Sequence, residues 1–323
     1  MADISETLTD WSETAASNSP GGTTTIGTGL DDNLRAQQAA IRKEYNKTVP
    51  ALNPGGRLTL STGVAVTVTD VTAAETLYYT PYVSDKIVVF DGTNWKQYTF
   101  TERSIDIPDA TGVYDVFIYD NAGTLTLELT AWTNDTTRAT ALTTQNGVLV
   151  KTGALTRRYL GTAYFTTAGN GQCEDSLANR YLWNYYNRRA RPLRRLEATA
   201  TWTYTTATWR QANAAAANQL CTVIGVAEDL LSIDVRGVAA NASAATAYNG
   251  IGVGSTSANS ATITQGHELG TGAVVPVSAS YNAIPAVGRQ YYAWLEYSSA
   301  VGTTSFAGAY LENDLGMFGT VWG

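Results

Sequence analysis

The sequence predicts a mainly β protein: an extended N-terminal arm and a short helix, followed by two β-sandwich or jelly-roll-like modules that a second short helix joins. Three observations support this prediction. Only 15% of the 323 residues are charged, and Thr, Ala, Gly and Ser are abundant, as suits strands and turns. Many short runs alternate between apolar and polar side chains. Turns containing Gly, Asn or Asp separate these runs.

Changes in composition along the chain predict five segments, which is reasonable for a chain of this length. They are an extended arm at residues 1–29, a short coiled-coil-like helix at 30–50, a first β-module at 57–170, a helical joint rich in Arg and aromatic residues at 174–196, and a distal β-module at 197–323.

The arm contains little that could form a core, because Trp11 and Ile26 stand alone among Ser, Thr, Gly and Asn. A turn signal with Pro20 interrupts it. Such a segment becomes ordered only against another surface, and a lone Trp in a polar arm is typical of an anchor that fills a partner's pocket. We predict that the arm binds another protein; a disordered tail is the alternative.

The helix at residues 30–50 carries one narrow stripe, which is too thin to cover a domain but fits a coiled-coil seam. Its members, at steps of four, three and four residues, are Leu34, Gln38, Ile41 and Tyr45. The stripe predicts an oligomer seam that symmetry-related copies share.

Three hairpins predict the first β-module, because each consists of two β-type runs around a short turn. The paired runs are residues 86–90 with 95–100, 113–119 with 124–129, and 148–151 with 156–165. Val64, Val66 and Val68 alternate with small polar residues and predict a further strand with one buried face.

Residues 174–196, which we call the Arg-aromatic segment, differ most from their surroundings. They combine six arginines with four rings in a chain that has only 21 Lys and Arg. Leu177, Tyr181 and Tyr185 recur every four residues and predict a short amphipathic helix. The residues assigned to this joint are Arg180, Tyr181, Trp183, Tyr185, Arg188, Arg189, Arg191 and Arg194. The joint either links two domains, with its guanidinium groups on the chain's own carboxylates, or contacts another subunit.

Alternating runs also predict the distal module. Strands are expected at residues 220–226, 230–235, 262–264, 273–277, 291–297 and 303–311, and a loop of small residues at 239–247. Four rings of this module could stack on the faces of sugar rings, although rings at strand spacing are more often core residues: Trp202, Trp209, Tyr248 and Trp294.

The composition disfavours several functions. A net charge of −7 and a pI near 4.8 argue against nucleic acid or an anionic membrane as a partner. The N-terminus resembles no signal peptide, and no apolar stretch approaches the ~18 residues that span a membrane. We therefore expect a protein made in the cytosol.

Candidate catalytic and metal-binding residues are scarce. The single histidine, His267, has no nucleophile motif nearby, and one His with the distant Cys173 and Cys221 cannot form a standard zinc site. We predict no catalytic residue, no metal and no cofactor. Glycoside cleavage needs only two carboxylates, so a polysaccharide depolymerase stays as the least favoured alternative.

Four blocks of the sequence resemble fibre and spike proteins of tailed bacteriophages. Residues 10–47 contain a Trp-Ser dipeptide, an Ala-Ser-Asn-x-Pro turn, an Ile-Gly step and a Leu-Arg helix, and the other blocks are residues 78–100, 133–162 and 179–192. The resemblance ends near Arg210 and is specific to the blocks rather than to single residues. It implies that the following residues anchor the chain to the virion: Trp11, Pro20, Ile26, Leu34 and Arg35.

The resemblance implies a non-enzymatic structural protein, a homotrimeric fibre or spike at the tail or neck of the virion that is made in the host cytoplasm. Its partners would be further copies of itself and the portal, adaptor or tail-tube proteins of the phage. The alternatives are a receptor-binding protein for a host surface glycan and a head decoration or collar fibre.

Overall fold

The computed structural model describes residues 11–18, 30–48, 54–166, 171–310 and 313–323. This part of the chain is mainly β, as the sequence predicts. It begins with a 3-10 turn, Ala15–Ser17, and helix α1, Leu30–Thr48. The strands that follow, up to the Arg-aromatic segment, are β1 Gly56–Thr59, β2 Val71–Ala74, β3 Thr76–Pro81, β4 Lys86–Phe90, β5 Trp95–Thr99, β6 Arg103–Asp106, β7 Gly112–Asn121, β8 Thr124–Asn134, β9 Thr137–Arg138, β10 Leu142–Gln145, β11 Val148–Lys151 and β12 Ala154–Thr166.

The three predicted hairpins are confirmed, since β4–β5, β7–β8 and β11–β12 each pair antiparallel. The β7–β8 turn shows why local sequence was sufficient. Ala122 (φ 51°) and Gly123 (φ 91°) both have the positive φ that a tight two-residue hairpin turn requires. Asp120 Oδ1 accepts a hydrogen bond from the Gly123 amide at 2.7 Å and stabilises the turn.

The strand predicted for Val64, Val66 and Val68 is wrong. Residues 61–70 form turns and bends without a partner strand, and Val68 is 96% exposed. Two carbonyl groups of this stretch instead accept hydrogen bonds from arginines, Ala65 O from Arg57 and Thr67 O from Arg191. Alternation alone cannot make a strand where no neighbouring strand completes the ladder.

The helix predicted for the Arg-aromatic segment is also wrong. The segment and the residues just before it form β13 Gln172–Asp175, β14 Asn179–Arg180, β15 Leu182–Asn184 and β16 Ala190–Leu196. β15 pairs with β12, and β16 pairs with a strand at residues 316–322 along its whole length. The four-residue spacing of Leu177, Tyr181 and Tyr185 is a local helix signal that these non-local ladders override.

The remaining strands are β17 Thr201–Tyr204, β18 Arg210–Gln211, β19 Gln219–Ile224, β20 Leu231–Ala240, β21 Thr246–Val253, β22 Ile263–Glu268, β23 Val275–Ala283, β24 Gly288–Ser298, β25 Thr304–Ala307, β26 Ala309–Tyr310, β27 Asn313–Asp314 and β28 Gly316–Trp322. A second 3-10 turn, Ala212–Ala214, lies between β18 and β19. The predicted distal strands all have counterparts among these, whereas two of the longer strands, β21 and β28, were not predicted.

The distal strands form two sheets around a common core. One contains β18, β19, β24, β21 and β22, and the other contains β16, β28, β20 and β23, with β25 and β17 following on β20. β22 pairs with both β21 and β23 and so connects the two sheets. Trp202 from β17 meets Trp294 from β24, with ring centroids 6.0 Å apart, as side chains from facing sheets do in a sandwich.

We call residues 57–170 the first region and residues 197–323 the distal region. The ladder of strands and the hydrophobic core run without a break from one into the other. β14 pairs in parallel with β19, and one buried cluster includes Phe117, Tyr159, Trp183 and Trp294. Arg138 adds a polar link, because it forms an ion pair with buried Asp115 at 2.7 Å and donates to the Gly225 carbonyl at 2.6 Å. The division into two modules stays a prediction.

Candidate functional site

Helix α1 packs one side on the β4–β5 hairpin. Gln38 and Arg42 are buried, and Arg42 Nη2 lies 3.4 Å from the Trp95 carbonyl oxygen. Tyr45 packs against a small cluster that includes Val88 and Trp95. Of the predicted oligomer seam, Gln38 is buried and Tyr45 is partly covered within the chain, and the seam itself stays a prediction.

A neighbouring face of α1 leaves three large apolar side chains exposed: Leu30 (51%), Leu34 (38%) and Ile41 (48%). The steps of four and seven residues place them on one helical face. We call them the apolar row. Two of its members, Leu34 and Ile41, belong to the predicted seam, and Leu30 was missed although it continues the same spacing by one helical turn.

The part of the arm that the structure describes, residues 11–18, forms a small closed loop. Asn18 closes it, because its side chain accepts a hydrogen bond from the Ser12 amide at 2.6 Å and donates to the Ser12 carbonyl at 3.0 Å. The described residues of the arm bury no hydrophobic side chain. Trp11 is half-buried, and its indole Nε1 has no hydrogen-bond partner. Pro20 and Ile26 lie outside the described residues.

A cleft of about 560 Å³ lies between this loop, α1 and two hairpins. It is lined by Glu13, Ala40, Lys43, Glu44, Phe90, Thr93, Asn94, Trp95, Gln145 and Asn146. The β4–β5 hairpin presents Trp95 to this cleft, and its indole Nε1 donates to Asn146 Oδ1 at 3.1 Å. Glu13 of the arm and three residues of α1 thus line the same cleft. Arg35, the last of the predicted anchor residues, is half-buried on α1.

The charged groups of the Arg-aromatic segment are mostly paired inside the chain. Buried Asp175 accepts hydrogen bonds from Arg180 and Arg191, both at 2.8 Å. Burial and the neighbouring Arg180 lower the pKa of Arg191, and Asp175 partly offsets this effect. Arg188 pairs with Glu228 and Asp229 of the distal region at 2.8 and 2.5 Å.

The rings of the segment are packed as well. Tyr181 and Trp183 are buried, and Tyr185 lies half-buried with its ring 5.6 Å from Tyr159. Arg189 donates to the Tyr82 hydroxyl at 2.6 Å, while Arg194 is exposed. These contacts favour the interpretation in which the guanidinium groups lie on the chain's own residues.

The four predicted stacking rings fall into two groups. Trp202 and Trp294 are buried, and their indole nitrogens donate to Glu296 at 2.5 Å and to Asn249 at 3.1 Å. They are core residues, so the stacking prediction is wrong for both, because each uses its polar atom inside the sandwich. Burial raises the pKa of Glu296, although the hydrogen bonds from Trp202 and Arg210 act in the opposite direction.

Trp209 and Tyr248 instead lie half-buried on the outer face of the sheet that contains β18, β24 and β21. A third ring, Tyr297, joins them. The centroids are 5.4 Å apart for Trp209 and Tyr297, 5.8 Å for Tyr248 and Tyr297, and 6.4 Å for Trp209 and Tyr248. We call these three rings the ring platform. Sequence reasoning missed Tyr297, because rings occupy both faces of β24 and nothing in the sequence shows which face is inside.

Cys173 and Cys221 are both buried and free, and burial raises the pKa of both thiols. Among the described residues, no three His, Cys, Asp or Glu side chains come together in a way that could hold a metal ion. In the same part of the chain, no helix has both the length and the apolar character needed to cross a membrane.

Comparisons with known proteins identify no family for this chain and find only weak structural likenesses. No family model matches the chain, and no functionally characterised protein matches its sequence. Among solved structures, the insecticidal delta-endotoxin Cry8Ea1 of Bacillus thuringiensis has a TM-score of 0.23 and 8% identity over 83% of this chain and 51% of that one. A Cry1Da tryptic core variant from Bacillus thuringiensis has a TM-score of 0.18 and 7% identity over 86% and 54%.

The chain therefore spans about half the length of each of these two toxins. At such low TM-scores neither likeness carries an argument about this chain.

Proposed function

We propose that this chain is a structural protein of a tailed-bacteriophage particle, a homotrimeric fibre or spike that attaches at the tail or neck through its N-terminal arm. The sequence blocks that resemble phage fibre and spike proteins supply the class of protein. The observation that carries the assembly mechanism is the apolar row on α1, because it lies on the helix that the resemblance assigns to anchoring.

The apolar row favours contact with further copies of the chain. Leu30, Leu34 and Ile41 follow one another along an exposed face of α1, whose neighbouring face already rests on the β4–β5 hairpin. Fully burying a large aliphatic side chain stabilises an assembly by about 1.5–3 kcal/mol, and these side chains, about half exposed, would gain part of that amount. Three such side chains from each of three copies, meeting around a common axis, supply the free energy that a single short helix lacks.

The arm has the properties of a segment that completes its packing on another protein. Its described residues contribute no buried hydrophobic side chain, and the indole N–H of the half-buried Trp11 has no hydrogen-bond partner. In this proposal the arm binds a portal, adaptor or tail-tube protein. A head decoration or collar fibre would use the same arm at a different position on the particle.

The β-body is a rigid support for these contacts. Arg188 of the Arg-aromatic segment pairs with Glu228 and Asp229 of the distal region, and Arg138 of the first region donates to the Gly225 carbonyl of the distal region. Such internal pairing leaves few charged groups of the segment for other chains. The joint therefore holds the protomer together rather than linking protomers.

Particle incorporation tests the proposal. Particles are assembled with the full chain or with a chain that lacks residues 1–29, and the copies per particle are counted by quantitative mass spectrometry. We expect the shortened chain to fold with the same thermal melting curve and to be absent from purified particles. Incorporation of the shortened chain at normal copy number would refute anchoring by the arm.

A further inference from the structure

We propose that the ring platform of Trp209, Tyr248 and Tyr297 is a binding site for a neutral glycan, whose pyranose rings would stack on the three aromatic side chains. This inference concerns the outer face of the distal region and goes beyond assembly of the particle. It does not require the chain to be a trimer or to be attached through its arm.

Strand register places the three rings in one row across the sheet. Tyr248 on β21 lies directly opposite Tyr297 on β24. The β18–β24 ladder pairs Arg210 with Glu296, so Trp209, one residue earlier, lies beside Tyr297. Two adjacent strands and the residue just before a third thus contribute one ring each, at spacings close to the distance between neighbouring strands.

The row faces outward. The residues next to the rings along the strands, Ala247, Asn249, Glu296 and Ser298, are fully buried, and side chains alternate between the two faces of a strand. The three rings are only half-buried. A solvent-facing side of an antiparallel sheet normally carries polar residues, so three adjoining rings here form an apolar patch that requires a reason.

Two glycines allow the rings to lie close to the sheet. A Cβ atom on Gly250 would come within 2.8 Å of Trp209 Cζ3, and one on Gly266 within 2.1 Å of Tyr248 Cδ1. The backbone therefore supports Trp209 and Tyr248 from below. Rings that rest on backbone in this way are held in place before a ligand arrives, and such pre-organisation lowers the free-energy cost of binding.

Hydrogen-bonding groups border the platform. Asn259 lies against Gly250 beside the Trp209 ring and donates to the Thr264 hydroxyl at 3.0 Å. Thr246 and Glu268 lie opposite each other on the same face of the β21–β22 ladder. Sites for small molecules combine apolar surface with a few polar groups that fix orientation. A sugar ring presents the matching combination, with C–H groups on its face and hydroxyl groups around its edge.

The charge distribution disfavours single-stranded nucleic acid, which requires a positively charged groove beside its stacking rings. Arg210 is the cation nearest in sequence to the platform, and it is turned away. Its guanidinium group pairs with Glu296 at 2.6 Å and lies 3.9 Å from the centre of the Tyr204 ring. Of the border residues, Asn259, Thr264 and Thr246 are uncharged and Glu268 carries a carboxylate. Because these groups offer no positive charge to an anionic ligand, a neutral ligand fits best.

The test uses the intact chain and three neutral oligosaccharides, maltohexaose, cellohexaose and hexa-N-acetylchitohexaose. Binding is measured by isothermal titration calorimetry and by saturation-transfer difference NMR. We expect saturable binding of at least one of them. Trp209→Ala, Tyr248→Ala and Tyr297→Ala should each weaken it roughly tenfold or more, a loss of about 1.4 kcal/mol or more in binding free energy.

Two controls separate loss of the site from loss of the fold. Tyr297→Phe keeps the ring and should bind nearly as well as the unaltered chain. Tyr119→Ala removes a half-buried ring that Arg157 covers at 4.0 Å, and it should leave binding unchanged. The proposal is overturned by three results: no binding of any of the three sugars, binding that survives all three Ala variants, or binding of a proline-rich peptide or oligothymidylate in place of the sugars.

Discussion

Helix α1 and the Arg-aromatic segment (residues 174–196) use their side chains in opposite ways. Most of the arginines and rings of the segment have partners within the chain, and buried Asp175 alone pairs with two guanidinium groups. Helix α1 keeps three large apolar side chains in solvent. The difference shows that charge and aromatic content do not by themselves mark a contact surface. In the proposed assembly, the contact surface is instead the apolar row that the chain's own fold leaves uncovered.

The largest expected effect comes from removing the shared carboxylate of the segment. Asp175→Ala would leave Arg180 and Arg191, whose side chains are 7% and 10% exposed, without their common partner. Breaking a buried ion pair by removing one side typically costs about 3–5 kcal/mol. We expect a loss of this order in the free energy of unfolding, measured by urea denaturation.

Asp229→Ala is the matched control for that change. Asp229 also pairs with an arginine of the segment, but its side chain is 35% exposed. Ion pairs near the surface contribute about 0–1 kcal/mol, so the control should lose at most about that amount. Equal losses for the two variants would contradict the distinction between the buried and the peripheral pairs of the segment.

Acid should produce a smaller effect, which weakens the β-body rather than the apolar row on α1. Burial raises the pKa of Glu128, but hydrogen bonds from Lys151 and Arg157 outweigh this and hold it below its ordinary value. Hydrogen bonds from Thr62, Thr80 and the Gly63 amide do the same for Glu102. A carboxyl whose pKa is lowered by folding stabilises the folded state above its ordinary pKa and loses that contribution as the pH falls through the lowered pKa.

The free energy of unfolding should therefore decrease below about pH 5. Glu102→Gln should flatten that decrease, because the variant has one fewer carboxyl to titrate. Self-association through the apolar row should change less over the same range while the chain stays folded, because no ionisable group belongs to the row. A free energy of unfolding that is constant from neutral pH to about pH 3 would count against the roles assigned to these carboxylates.

Local chemistry explains what the sequence predicted correctly. Each confirmed hairpin contains its own turn, as in Asp120 and Gly123, so neighbouring residues determine the structure. The strands at residues 174–196 depend instead on β12 and β28, which are distant in sequence, and a helical spacing of apolar residues misled the prediction. The strand predicted for the valines at 64–68 is absent for a related reason, since no other strand pairs with these residues.

The candidate sites were predictable only in part. Leu34 and Ile41 were identified from their spacing, but the same stripe contains Gln38 and Tyr45, and only the position of the β4–β5 hairpin decides which of these side chains are covered. The four candidate stacking rings divided in the same way. Trp202 and Trp294 face the core and Trp209 and Tyr248 face outward, a distinction that depends on how two sheets are stacked.

Sedimentation equilibrium of the intact chain at micromolar concentration is the most direct test of the proposed assembly. The apolar row predicts a particle of three times the 34.5-kDa chain mass. The double variant Leu34→Ser with Ile41→Ser should sediment as a monomer with an unchanged melting curve, and Val68→Ser, which alters an exposed valine elsewhere, should remain trimeric. An intact chain that sediments as a monomer, or a double variant that stays trimeric, would contradict the role of α1.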